Sequence, residues 1–268
     1  MSDLIQSFER DIIKTYRSTL WSKFIKGIKR YNLLQDGDKV AVAMSGGKDS
    51  LLLAKLFQEL VRHPIMNIEV VFISMDPGYS TDNLNMHFEN ARKLGIPLNI
   101  EESNIFNIVE KIANDYPCYM CARMRRGFLY NMAKEHGCNK LALGHHFDDI
   151  IETTMMNILY SGTYRTMLPK VASENFEGIE LIRPMALIKE EDIIRIMENN
   201  HIETMGCGCE IHVCSVSSKR QVVKNLIKEL KLDSEDVDKN IYRSAENVDL
   251  DGIIGWVKDK ERKNRYDT

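Results

Sequence analysis

Nowhere in its 268 residues does the chain carry an apolar run approaching the roughly 20 residues of a membrane-spanning helix. The opening stretch, MSDLIQSFERDIIKTYRS, breaks every apolar run with charge, so no secretory leader is expected. Both absences point to a cytoplasmic location and to no membrane partner. Cysteine is scarce, at six residues. A chain of this length can bury a sizeable core without disulfide staples. In a reducing compartment its thiols would stay reduced, so any clustering among them suggests a metal centre or catalysis. An excess of basic charge is also lacking. The formal net charge of −3 argues against a generally basic nucleic-acid binder. The distribution is uneven, however: the first 30 residues hold seven cations against three acids, a local +4. Such a run reads either as a solvated helix face or as a local RNA-binding surface. Internal repeats and low-complexity tracts are absent.

What is present is alternation. Apolar residues recur near a 3.6-residue period from Leu4 to Ile28, which predicts a helix over 3–32. Gly37-Asp38 then turns into a strand over 39–44, followed by a helix near 49–62. Further strands are expected at 68–76, 98–101, 140–144 and 180–183. Helices are expected near 82–94, 105–114, 148–160, 189–200 and 217–231. The residues from about 233 read as a polar end, with 258–265 a frayed, mixed-charge tail. Strands alternating with helices imply an α/β fold: a doubly wound, mainly parallel five-stranded sheet covered on both faces. The expected organisation is an N-terminal helical segment (1–32), a nucleotide-binding domain (33–186) and a C-terminal helical appendage (187–268). Such sheets bind ligands beyond the carboxyl ends of their strands, so the loops after the first, second and fourth strands should converge.

The most informative segment is Met44-Ser45-Gly46-Gly47-Lys48-Asp49-Ser50, between the first strand and its helix. A strand, a glycine turn and a helix start aim several backbone N–H groups at an anion. Paired glycines let the backbone approach a phosphate closely. Lys48 adds a point charge, the serines add hydroxyls, and Asp49 is placed to help hold Mg²⁺. The spacing is neither that of the ATPase phosphate loop nor GxGxxG. SGGKDS in this setting resembles the PP-loop of the N-type ATP pyrophosphatases, which adenylate a carbonyl-type oxygen and release pyrophosphate. That resemblance implies a Rossmann-like fold. It also implies ATP held on residues 44–50, with its adenine near Ser74 and Met75.

A second constellation, Gly144-His145-His146-Phe147-Asp148-Asp149-Ile150-Ile151-Glu152-Thr153, starts at the end of the fourth strand. Asp148 or Asp149 suits a helix N-cap, and Asp149 and Glu152 share a helix face. Capping explains one carboxylate, not two histidines, two aspartates and a glutamate, so a polar active-site wall is expected. The element resembles the GHHxDDxxET turn of PP-loop tRNA-modifying enzymes. Gly144 and His145 join the ATP site on that basis, and Asp148 is assigned as a catalytic or metal-positioning carboxylate.

Cys118 and Cys121 lie three residues apart, while Cys207, Cys209 and Cys214 follow some ninety residues later; Cys138 stands alone and reads as a buried small apolar residue. Counting alone leaves a redox pair, a closed zinc site and an iron–sulfur centre open. The segment from Cys118 to Gly127, CYMCARMRRG, resembles the CxxCxRxRRG motif of the tRNA 2-thiocytidine synthetases. The likeness runs from the phosphate loop to about residue 225. It implies a [4Fe-4S] cluster held by Cys118, Cys121 and a later cysteine, with one iron left open to carry sulfur. Cys214, just before Lys219-Arg220-Gln221-Val222-Val223, matches the third ligand best, with Cys209 and then Cys207 as alternatives. A four-cysteine centre also remains open.

The same resemblance implies an ATP-dependent tRNA sulfurtransferase whose target is cytidine 32 of the anticodon loop. Lys48, Asp148 and Arg125 are the catalytic candidates. Arg123, Arg125 and Arg126 could hold tRNA phosphate or pyrophosphate, and Arg123 and Arg126 are assigned to RNA. The sulfur donor would be a cysteine desulfurase or sulfide, and the assembly a homodimer. Three rivals stay open: an adenylating enzyme such as a tRNA-Ile lysidine synthetase, a non-catalytic nucleotide-sensing metal protein, and sulfur transfer on another base or a small molecule.

Overall fold

A computed structural model describes residues 2–103, 105–106, 108, 117–205, 215–258 and 261–266; the side chains of 2–3, 117–119 and 215–218 lie outside it. The expected N-terminal helix forms as α1 (Ser2–Arg10), two π-helical turns over 11–15 and 17–21, and α2 (Ser22–Arg30). Phe8, Ile12, Leu20, Phe24 and Ile28 are all essentially inaccessible. At roughly 1.5–3 kcal/mol per buried large apolar side chain, that stripe holds the helix to the body. Arg10, Lys14, Arg17, Lys23, Lys26, Lys29 and Arg30 all fall on the exposed side. The buried Lys55 ammonium donates to Glu9 at 2.8 Å and to the Leu94 carbonyl at 3.0 Å, which fixes α1 against α3 (Lys48–Arg62).

The central sheet consists of β1 (Lys39–Met44), β2 (Glu69–Asp76), β3 (Leu98–Glu102), β4 (Lys140–Ala142), β5 (Lys170–Ala172) and β6 (Glu180–Ile182). Their order is β3-β2-β1-β4-β6-β5. All neighbours are parallel except β5 on β6. The doubly wound class is as expected, but the sheet has six strands rather than five. The extra one, Lys170-Val171-Ala172, is a three-residue edge strand, too short to show an alternating pattern. Strand order reverses between β1 and β4, the crevice in which such folds place ligands.

Around the sheet lie α4 (Thr81–Lys93), α5 (Pro117–Glu135), α6 (Phe147–Ser161), α7 (Glu190–Asn199), α8 (Ser215–Asp233) and α9 (Val237–Ser244). Most of the helix expected near 105–114 falls outside the described residues. The frayed tail expected over 258–265 is replaced by a hairpin, β7 (Gly255–Lys258) on β8 (Glu261–Asn264). Its mixed charge hides a strand pair because only Trp256 and Val257 are large and apolar. Among the described residues, no helix is long and apolar enough to cross a membrane.

Candidate functional site

Above the carboxyl ends of β1 and β4 lies a cavity of about 420 Å³. Three elements supply its walls. Met44, Ser45, Asp49 and Ser50 come from the first strand and its loop, Leu143, Gly144, His145 and Asp149 from the β4–α6 turn, and Ala122, Arg125, Arg126 and Leu129 from α5. Ala43, Met75 and Arg220 complete it.

The loop is shaped by its glycines. Gly46 has φ of +78°, and a Cβ there would stand 2.4 Å from the Met205 sulfur and 3.1 Å from His87 Nδ1. A Cβ on Gly144 would stand 3.1–3.2 Å from the Asp49–Ser50 backbone, so the β4 turn and the phosphate loop meet backbone to backbone. The Ser50 hydroxyl donates to the Gly47 carbonyl at 2.9 Å and accepts from the Ser45 N–H at 3.1 Å, closing the turn before α3.

Lys48 lies 3.3 Å from Asp49 and 3.1 Å from Glu190. Burial lowers its pKa, but Asp49 and Glu190 outweigh it, so the ammonium is held above its usual range. Burial pushes the Asp49 carboxyl up, and His146 and Lys48 do not fully offset it. Asp49 Oδ1 is buried and accepts no hydrogen bond among the described residues. A partly buried carboxylate beside an anion-binding loop, with the Lys48 ammonium 3.3 Å from that same Oδ1, suits a metal ion that shares its other ligands with phosphates. Among the described residues, no group of three or more His, Cys, Asp or Glu forms a metal site by itself.

The turn after β4 divides its two aspartates. Asp149 accepts from the His146 N–H at 3.0 Å, capping its own helix, and lies 3.4 Å from His146 Nε2 and 3.2 Å from Arg220. These partners overcome burial and lower its pKa. Asp148 instead accepts from the Glu190 N–H at 2.7 Å and caps α7; it does not line the cavity. His145 lines the cavity, and its Nδ1 accepts from Arg183 Nε at 3.3 Å. Burial and the Arg183 charge push its pKa down to about 4. The ring is therefore neutral near pH 7, with its proton on Nε2.

Of the residues expected at the ATP site, Met44, Ser45, Asp49, Ser50, Met75, Gly144 and His145 line the cavity, whereas Gly46, Gly47, Lys48 and Ser74 do not. Ser74 is fully buried, donating to the Met44 carbonyl and contacting His87 Nε2, each at 2.9 Å, so it supports the loop from behind. Met75 does face the cavity, as do Arg125, which donates to the Tyr79 hydroxyl at 3.2 Å, and Arg126. Arg123 is exposed and outside the cavity lining. Cys118 and Cys121 fall in the first turns of α5, whose next turns wall the cavity. The Cys118 side chain, and Cys207, Cys209 and Cys214 entirely, lie outside the described residues. Cys138 is buried in the core.

Sequence reasoning did not assign Glu190 or Arg220. Glu190 also pairs with Lys224. Although burial raises its pKa, the hydrogen bond from Lys224 and the Lys48 charge bring it down to about 2. Arg220 approaches Asp149 and, at 3.6 Å, Glu152. Its position one turn into the helix that follows the late cysteines was the available signal.

Residues 18–205 match the PP-loop domain, so fold and site together define a PP-loop protein. A tRNA-cytidine(32) 2-sulfurtransferase of Geotalea uraniireducens (strain Rf4) is 37% identical over 227 residues, 83% of this chain and 88% of that one. A protein of the same name from Syntrophotalea carbinolica (strain DSM 2380 / NBRC 103641 / GraBd1) is 37% identical over 228 residues, 83% of this chain and 86% of the other. The chain belongs to the tRNA-cytidine(32) 2-sulfurtransferase family. Its fold is also that of the U34-tRNA thiolase NcsA from Methanococcus maripaludis, solved with its [4Fe-4S] cluster. The TM-score is 0.69 at 25% identity, over 89% of this chain and 80% of that one.

Proposed function

We propose that this chain is an ATP-dependent tRNA sulfurtransferase that replaces the C2 oxygen of cytidine 32 with sulfur. One observation carries the reading: α5, which begins with the Cys118–Cys121 pair, walls the cavity whose floor is the phosphate loop. Cys121, next to the lining residue Ala122, then brings thiol chemistry to the edge of the adenylation chamber. Membership of the family supports the base and its position.

ATP would lie with its phosphates on the N–H groups of 45–50. Asp49, which lines the cavity, would hold Mg²⁺, and Asp149 is better placed than Asp148 to assist it. The base oxygen attacks the α-phosphorus; an O–P bond forms, the bond to the β-phosphate oxygen breaks, and pyrophosphate leaves. Lys48, Arg125 and Arg126 balance the charge that develops on it. Neutral His145, its proton on Nε2, can donate to the base or to the phosphate. The residues suit a [4Fe-4S] cluster in kind, because a thiol at a helix start is readily deprotonated. Cys118, Cys121 and Cys214, with Cys209 as the alternative third ligand, would hold it. When bound, the cluster would supply sulfide-level sulfur to the activated carbon. The C–O bond then breaks and AMP leaves with the oxygen.

Sulfide, or the persulfide sulfur of a cysteine desulfurase after two-electron reduction by a thiol, would be the donor, in a cytoplasmic homodimer. Arg123, exposed on α5, would reach RNA phosphate. We read 1–32, 33–186 and 187–268 as the helical segment, the PP-loop domain and the appendage. Iron and acid-labile sulfide are to be measured after anaerobic purification of wild type, Cys121→Ala and Cys214→Ala. About four of each per chain, lost in both variants, is expected for one such centre. Stoichiometric zinc without sulfide would overturn the assignment.

A further inference from the structure

A second cavity, of about 1070 Å³, lies far along the chain from the phosphate loop. Thr163, Tyr164 and Arg165 form one wall, and Leu250, Trp256 and Val257 are among the residues opposite. The hairpin β7–β8 is a sheet of its own and pairs with no strand of the central sheet. It leaves large apolar groups outside, with Ile254 73%, Val257 70% and Tyr266 75% exposed.

Its charge sets it apart from the rest of the molecule. Residues 255–268 hold five cations against three acids, a net +2 in a chain of net −3, so the remainder carries −5; Asp249, in the lining of the same cavity, is the acid facing this cationic segment. Lys258, Arg262, Lys263 and Arg265 are all exposed. Of these, Arg265 is paired, 3.5 Å from Asp251. Cations interleaved with Trp256, Tyr266 and the half-exposed Tyr164 offer phosphate contacts and stacking faces together.

This surface is joined to the adenylation cavity by a short path. Arg165 lines the outer cavity; three residues on, the Leu168 carbonyl accepts from Arg183, which in turn donates to His145 of the inner one. Three residues span at most about 11 Å. Leu168, like Arg165, is exposed whereas Arg183 is buried, so the path starts at the surface and ends inside the molecule.

We propose that the hairpin and the 163–168 loop form an RNA-docking surface, which grips the tRNA backbone while the target nucleotide reaches the inner cavity. This rests on the tRNA reading above. The charge contrast selects RNA over a second copy of the chain, whose apolar contact would not need a cationic rim.

The test is binding of full-length wild type, Arg262→Glu/Lys263→Glu and Trp256→Ala to an unmodified tRNA transcript across a salt series, with ATP binding measured in parallel. Expected are a tenfold or greater loss of tRNA affinity in the double variant and a salt slope shallower by about 1.5, two phosphate contacts' worth. Trp256→Ala should weaken binding at every salt concentration without changing that slope. ATP binding should be unaffected in both, which shows that the fold is intact. Wild-type affinity in the double variant would overturn the docking surface, as would a change confined to oligomeric state in sedimentation. Failure of wild type itself to bind tRNA would instead sink the tRNA reading.

Discussion

Glu190 stands 3.1 Å from the ammonium of Lys48, and its other oxygen is held by Lys224. The phosphate-loop lysine is thus aimed by a carboxylate from α7, itself tied to α8. Lys48 alone could sample several rotamers; paired, it is placed in advance for the charge that develops during adenylation. Glu190→Gln should lower the rate of tRNA-dependent AMP formation about tenfold, equivalent to about 1.4 kcal/mol of barrier. Glu190→Asp should fall between the two. An unchanged rate in Glu190→Gln would remove Glu190 from this role.

Gly46→Ala should be far more damaging. The left-handed backbone and the contact with Met205 and His87 oppose any side chain. A loss of stability of about 1 kcal/mol or more is expected from the backbone alone, together with loss of ATP binding. Thermal melting with and without ATP reads both effects: the variant should melt lower and gain nothing from the nucleotide.

Three neighbouring arginines should separate by position. Arg125 and Arg126 line the inner cavity, whereas Arg123 does not. Alanine at 125 or 126 should slow AMP formation by tenfold or more. Alanine at 123 should leave it within about twofold and act only on tRNA affinity, as a single phosphate contact would. Kinetics with ATP and tRNA varied independently would distinguish the two patterns.

Acid stability should fall in two windows. Burial pushes the His87 pKa down to about 4, against an ordinary 6.5. The unfolded chain therefore takes up this proton first, and stability declines as pH falls from about 6.5 to 4, by at most about 3 kcal/mol. Glu190, at about 2 against 4.5, contributes stability that is intact above 4.5 and lost as pH falls towards 2. Denaturant midpoints at pH 7, 5 and 4 should decline in wild type and decline less in His87→Gln.

The strand–loop–helix units were legible because each carries its own punctuation: apolar β-branched runs, glycine turns and a 3.6-residue period. The phosphate loop was legible through its paired glycines, of which Gly46 has the left-handed backbone and close contacts that oppose a side chain. Asp148 and Asp149 were not separable in sequence. Either can cap a helix, and only the packing of α7 against that turn turns Asp148 away from the cavity. Ser74 was misplaced for a similar reason: a strand-end hydroxyl can face the ligand or the layer behind, and His87 decides which. Glu190 and Arg220 act across long sequence separations, which no local pattern encodes. The hairpin at 255–264 was hidden by its charges.

The most direct measurement is nucleoside mass spectrometry of a tRNA transcript incubated anaerobically with the protein, ATP and sulfide. Thiolation should appear as 2-thiocytidine at position 32, with one AMP formed per sulfur inserted, and should vanish in Lys48→Ala and Cys121→Ala. Thiolation confined to a uridine, or AMP formation with no sulfur in the RNA, would contradict it.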